Sequence, residues 1–134
     1  AYAAHRLKIS HDGAENGMHV AEVRFHEFTA QDATLVSTAF EATVEPADGF
    51  IIALVEPVDA VTYGADLLAD MSKDDGATWE AAALTKIGVT EDGFEVVYGE
   101  VTFATVGDQT VRWRLTTANS KRMNLHGVVP DAVA

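Results

Sequence analysis

The chain has 134 residues, 48% of them hydrophobic and 22% charged, which fits one folded domain with a real core and excludes a disordered segment. A formal charge of −12, from 21 acidic against 9 basic residues, repels nucleic-acid phosphates and anionic membranes, so neither is an expected partner. Cysteine is absent, which removes disulfides and thiolate metal sites, and nothing in the composition calls for a cofactor.

The opening "AYAAHRLKIS" lacks the basic-then-apolar order of a signal peptide, so the expectation is a protein made in the cytoplasm without an export address of its own. Alternation begins at once. "HRLKI" sets Leu7 and Ile9 opposite Arg6 and Lys8, and "AEVRFHE" sets Ala21, Val23 and Phe25 against Glu22, Arg24 and His26. "VSTAFEATV" places Val36, Phe40 and Val44 on one side, with Ser37 and Glu41 on the other. "FIIALV", Phe50 to Val55, is apolar on both faces, as a strand inside a sheet or between two layers would be, and is far below the roughly 18 residues of a membrane span.

Further strands are expected at "DLLADMS", "WEAAALTKI", "FEVVYGEVTFA", "TVRWRLTTA" and "RMNLHGVV". The Ala-rich "WEAAALTKI" is the one helix-tempting segment, but it follows a hairpin signal and ends at Ile87-Gly88. "TVRWRLTTA" is the clearest case: Val111, Trp113 and Leu115 share one face, Arg112, Arg114 and Thr116 the other. Between the strands stand "HDGAENG", "EPADG", "EPVDAVTYG", "KDDGA", "TEDG" and "VGDQ", each supplying Gly for positive φ, or Asp, Asn or Pro to fix a turn. The pattern predicts a single all-β domain over residues 1–134, an antiparallel, jelly-roll-like β-sandwich of about eight to nine strands.

"SKDDGATW", Ser72 to Trp79, reads as either a tight turn or an acidic site. The spacing of Ser72, Asp74, Gly76, Thr78 and Trp79 resembles the Asp-box, a hairpin motif of sialidases and of many non-catalytic β-proteins. In such a hairpin Asp74 accepts hydrogen bonds from turn N–H groups, Gly76 takes the left-handed conformation, and Trp79 folds under the loop. A sialidase propeller needs several such boxes, an arginine cluster and a longer chain. An EF-hand-like loop fails on the spacing of Asp74, Asp75 and Glu80. The turn reading takes precedence, and no metal is expected.

The wider stretch "VDAVTYGADLLADMSKDDGATWEAAALTKIG", followed by "TVRWRLTTANSKRMNLHGVVPD", resembles a module of tailed-bacteriophage structural proteins. The matching residues are Asp66, Leu67, Ala69, Ser72, Asp74, Gly76, Thr78 and Trp79, then Arg112, Trp113, Arg114, Thr117, Asn119, Lys121, Leu125, His126 and Gly127. The resemblance covers roughly the C-terminal two-thirds. "RLKIS" with "GMHVAEVRFHEF" faintly looks like the opening of discoidin-type, galactose-binding-like sandwiches, a match too short to transfer sugar-binding residues. The resemblance implies a virion component, a tail, fibre or head-decoration protein made in the host cytoplasm. Its implied partners are other virion proteins and its own copies, with a trimer among the options.

The remaining candidates read as structural. Of His5, His11, His19, His26 and His126, only His19 and His26 are near each other, and they face opposite sides of a strand. Ser10, Ser37, Ser72 and Ser120 lack a nucleophile elbow. Glu41 and Glu45 are a carboxylate pair of the kind glycosidases use, but in so acidic a chain such pairs are common. Arg112 and Arg114 form a candidate interaction surface, and are expected to pair across the sheet with Glu95 or Glu100. Tyr2, Tyr63 and Tyr98 suit core capping better than sugar stacking. The function expected is a non-enzymatic virion structural protein; its rival is a carbohydrate- or receptor-binding adhesion module that takes a host glycan.

Overall fold

Alternation of apolar and polar side chains leaves only the extended backbone able to bury one face and solvate the other. The computed structural model describes residues 31–104, 106 and 108–134, and among them every regular element is a strand. In chain order these are β1 (Thr34–Val36), β2 (Phe40–Glu41), β3 (Asp48–Pro57), β4 (Leu67–Ser72), β5 (Glu80–Val89), β6 (Glu95–Thr102), β7 (Thr110–Thr117) and β8 (Met123–Val133). The strands expected over residues 5–9 and 21–27, and His5, His11, His19, His26, Ser10 and Tyr2 with them, lie outside the described residues.

The strands form one antiparallel sheet in the order β1-β7-β4-β5-β6-β3-β8, with β2 continuing along the β1 side of β7. The all-β antiparallel class is the one the periodicity predicts. The sheet curls about β5 until its two halves meet. Met71 of β4 comes so close to Gly49 of β3 that a Cβ there would lie 2.8 Å from the Met71 Sδ. Gly99 of β6 is crowded in the same way, its hypothetical Cβ 2.9 Å from Leu84 Cδ2 and 3.1 Å from Ile51 Cγ2. Both glycines are there for close approach. Among the described residues the left-handed glycines are Gly64, Gly76 and Gly93, so the "EPADG" turn draws no positive φ from Gly49.

The core fills the concave side with the inward residues of five strands, β3 to β7. Ile51, Val55, Met71, Val97 and Val111 are fully enclosed, each contributing about 1.5–3 kcal/mol of apolar burial. In β5 only Ala82 and Leu84 are buried, two residues apart, which is why this Ala-rich segment is a strand and not a helix. Two bulges re-aim side chains. In β5 the register shifts between Lys86 and Gly88, leaving Ile87 outside. In β8, Leu125 pairs with Val55 and Gly127 with Leu54, so His126 is the extra residue and stacks on Phe94 at 3.8 Å instead.

Two expectations need correction. "VSTAFEATV" is not one strand: the ladder breaks after Ser37, whose hydroxyl, rather than its carbonyl, accepts the Trp113 N–H at 3.0 Å. Phe40 packs on the core, whereas Val36 and Val44 are half-exposed. "FIIALV" does lie inside the sheet, between β6 and β8, but its second face, Phe50, Ile52 and Leu54, is covered by no layer among the described residues.

Candidate functional site

The hairpin between β4 and β5 carries all five Asp-box residues. Ser72 is buried at the end of β4, and its hydroxyl is the hub: it donates to Asp74 Oδ1 at 2.7 Å and accepts the Gly76 N–H at 2.9 Å and the Asp74 N–H at 3.3 Å. Asp74 Oδ1 accepts a second bond from the Thr78 N–H at 2.8 Å. These donors hold the Asp74 carboxyl below its ordinary value, the Ser72 hydroxyl most strongly and the Thr78 amide next. The chain reverses at Asp75 (φ 57°) and Gly76 (φ 88°), the left-handed pair that a turn this tight demands. Trp79 then returns beneath it, its ring edge 3.2 Å from where a Gly76 Cβ would stand.

The hairpin is also tied to β7. The Asp75 N–H donates to Thr110 O at 3.0 Å and the Asp108 N–H to Lys73 O at 3.0 Å. Lys73 turns inward and is buried, donating to Glu45 Oε1 at 2.9 Å and Pro46 O at 3.1 Å, with its ammonium 5.5 Å from the Phe103 ring centroid.

Arg112 and Arg114 stand on the outer face of β7, beside this hairpin. The expected partners Glu95 and Glu100 are not theirs, because β7 lies between β4 and β1 rather than next to β6. Arg112 pairs with Asp75 and also donates to Ser37 O at 3.1 Å. Arg114 pairs with Asp70, its register partner on β4, at 2.8 Å, and its guanidinium carbon sits 4.6 Å from the Trp79 ring centroid. Gly76, Trp79, Arg114 and Asp70 thus form one continuous stack on the convex face. Trp113, between the two arginines, points the other way and packs against the core.

Other candidates lie elsewhere. Glu95 accepts from Tyr63 Oη and Lys86 Nζ, and these two, the lysine first, hold its carboxyl below the ordinary value. Tyr98 donates to Glu100 at 3.1 Å and stacks on Phe50 at 6.0 Å on the open outer face of β3 and β6. Glu41 accepts the Thr110 hydroxyl at 3.0 Å while Glu45 serves Lys73, so the two carboxylates answer to different partners. His126 bonds Glu56 at 2.9 Å. Among the described residues no three His, Asp or Glu side chains converge as metal ligands, and every buried side-chain polar atom has a partner.

Sequence reasoning singled out the five hairpin residues and the two arginines but not what joins them. Asp70 was not singled out, and Asp75 was weighed only as a metal ligand and not as the partner of Arg112. Asp70 was detectable as the one charge inside "LLADMS" on an outward position. Comparison with protein-family models, with curated proteins and with solved structures finds no match for the chain.

Proposed function

We propose that this chain is a non-enzymatic structural protein of a bacteriophage virion, a head-decoration, tail or fibre component on the particle surface that works by assembly with other virion proteins and its own copies. The observation that carries this reading is that the phage-like motif residues, distant in sequence, form one stacked unit. The Arg114 guanidinium from β7 sits over the Trp79 ring from the hairpin, and Asp74 and Asp75 are engaged by Ser72, Thr78 and Arg112. A surface whose charges are already matched suits a packed assembly better than turnover of a substrate. Its acidic excess suits the outside of a particle.

Mass spectrometry and electron microscopy of purified particles from the source provide the test. The expected result is the protein at fixed stoichiometry on the particle exterior. Abundance in uninfected cells free of particles overturns the reading.

The Phe50–Tyr98 pair on the outer sheet face favours a second reading, a glycan-binding adhesion module, since exposed aromatic rings bind sugar faces. Saturable glycan-array binding that Tyr98→Ala abolishes would establish that reading in place of the first.

A further inference from the structure

The two halves of the outer sheet surface differ in kind. On β4 and β7 the outward charges are matched within the chain, Asp70 by Arg114 and, at the adjoining hairpin, Asp75 by Arg112. On β5, β6, β3 and β8 the outward side chains are apolar at the centre. Register places Thr85, Tyr98, Ile52 and Val129 in one row across these four strands. Val96 and Leu54 lie side by side in the row on one side of it, and Phe50 in the row on the other. Ile52 is 36% and Val129 63% exposed. Strands about 4.8 Å apart and residues about 3.3 Å apart give this patch roughly 400 Å². An exposed apolar patch of that size on a single chain is often a functional one.

The charges around Phe50 are of one sign. Glu100 and Asp131 flank it on the two neighbouring strands, and Asp48 stands two residues before it on β3. All three accept from neutral donors: Glu100 from the Tyr98 hydroxyl at 3.1 Å, Asp48 from the Thr102 hydroxyl at 2.8 Å, and Asp131 from the Ala132 N–H at 2.8 Å. Among the described residues no cation pairs with any of them. Lys73, Lys86, Arg112, Arg114 and Arg122 each hold another carboxylate of the chain. That leaves Lys121 among the described lysines and arginines, and it precedes β8 at the end away from Asp131. A second copy laid on this face would therefore bring more carboxylates and no cation to meet these. Two such patches would bury only about 800 Å², below the roughly 1,200–2,000 Å² of a stable specific interface.

We propose that the outer face of β6, β3 and β8 is a docking surface for a basic partner protein, which lays apolar side chains over Ile52 and Val129 and sets lysines or arginines beside Phe50. The acids supply what the small apolar area lacks, an attraction that chooses the partner by charge and speeds its encounter. Glu100 and Asp131 stand on strands two apart, so their backbones are about 10 Å from each other and a pair of cations at similar spacing meets both. Phe50 and Tyr98, stacked at 6.0 Å between these acids, add ring faces that attract a cation. The same carboxylates repel nucleic acid and anionic membranes. The inference rests on this face alone and not on the virion reading, so its failure leaves the particle experiment undecided and the reverse also holds.

The probes are synthetic peptides sharing one leucine- and valine-rich centre and flanked by lysines, by serines or by glutamates, titrated against the full-length chain by fluorescence anisotropy. The lysine peptide is expected to bind saturably and at least about 5-fold tighter than the serine peptide, with the glutamate peptide weakest. High salt should bring the three to within about 2-fold of one another. Glu100→Gln with Asp131→Asn should weaken the lysine peptide at least about 5-fold. Glu91→Gln with Asp92→Asn makes the same change in net charge at the exposed β5–β6 turn and should leave its affinity within about 2-fold. Val129→Ser should weaken all three peptides alike, and if it fails to fold the two charge variants decide the matter. Equal loss from both charge variants, equal binding of the three peptides, or no saturable binding of the lysine peptide overturns the proposal. So does a dimer of the unmodified chain that Val129→Ser dissociates, or a neutral glycan bound at Tyr98 without any preference for the lysine peptide.

Discussion

Three glycines allow the Asp-box turn to be dissected. Gly64, Gly76 and Gly93 have almost the same left-handed φ, 84°, 88° and 86°. An alanine at Gly64 or Gly93 would meet nothing within 4 Å, whereas at Gly76 its methyl would lie 3.2 Å from Trp79 Cζ2 and 3.5 Å from Arg112 Cδ. Gly64→Ala and Gly93→Ala therefore isolate the conformational cost, about 1–2 kcal/mol each. Gly76→Ala adds displacement of the indole by a few tenths of an ångström, which loosens the Arg114 stack, a contact worth about 0.5–1 kcal/mol at a half-exposed site. The expected total is about 1.5–3 kcal/mol, measured as the shift in urea-unfolding midpoint at constant slope. In a Trp79→Ala background the excess should vanish, bringing Gly76→Ala level with the other two. If Gly76→Ala is no more costly than its counterparts, or if its excess survives without the indole, the roofed-turn argument is wrong.

Gly99→Ala should destabilise by about 1–3 kcal/mol through overpacking, since its methyl would overlap Leu84 and Ile51 in the enclosed core; chemical denaturation measures it. Asp74, Asp59 and Asp66 all have carboxyls held below their ordinary values, Asp59 at about 2 by the Arg122 side chain and then its backbone N–H. Such groups stabilise the fold fully above the unfolded value near about 4 and lose that effect as pH falls through the folded one. Thermal midpoints should thus be flat from about pH 7 to 5 and fall between about pH 4 and 2, with a shallower fall in Asp74→Asn. Asp70→Asn should cost less than about 1 kcal/mol, because its ion pair with Arg114 is half-exposed and salt-screened; the loss should shrink further at high salt.

Local chemistry was legible, and long-range order was not. The bonding of Ser72, Asp74, Gly76 and Thr78 follows from side chains within six residues of one another, so spacing alone specifies it. The inward set of β7, Val111 and Leu115, likewise follows from a period of two. The partners of Arg112 and Arg114 depend on which strand lies beside β7. The strands before and after it in sequence, β6 and β8, are not its neighbours, and no turn signal encodes those crossovers. Ser37 escaped for a related reason. Its hydroxyl replaces a ladder acceptor only because Trp113 happens to stand opposite, and an alternating pattern cannot report such a substitution. The close approach at Gly49 was not legible because a glycine needed for close approach and one needed for a turn look alike in sequence.

The stretch Ser72 to Asp75 explains how a motif rich in carboxylates ends up as architecture. Four consecutive polar side chains are engaged in four directions. Ser72 turns back to bind the loop's own amides, and Asp74 reaches forward to the Thr78 N–H. Lys73 reaches through the hairpin's base to Glu45 and Pro46, and Asp75 crosses to Arg112. A strand's alternation would have sent these residues to two faces only; the left-handed pair at Asp75 and Gly76 supplies the extra directions. The hairpin is thereby fixed to its own base, to the β2–β3 connection and to β7. A carboxylate catalytic in the hydrolytic sense needs an open approach and a partner it shares with substrate. Here the Asp74 oxygen Oδ1 carries two protein donors, and Asp75, exposed though it is, is paired with the Arg112 guanidinium. The acidity of the motif thus serves to pin the turn that carries Trp79 to its place beside Arg114 on the convex face.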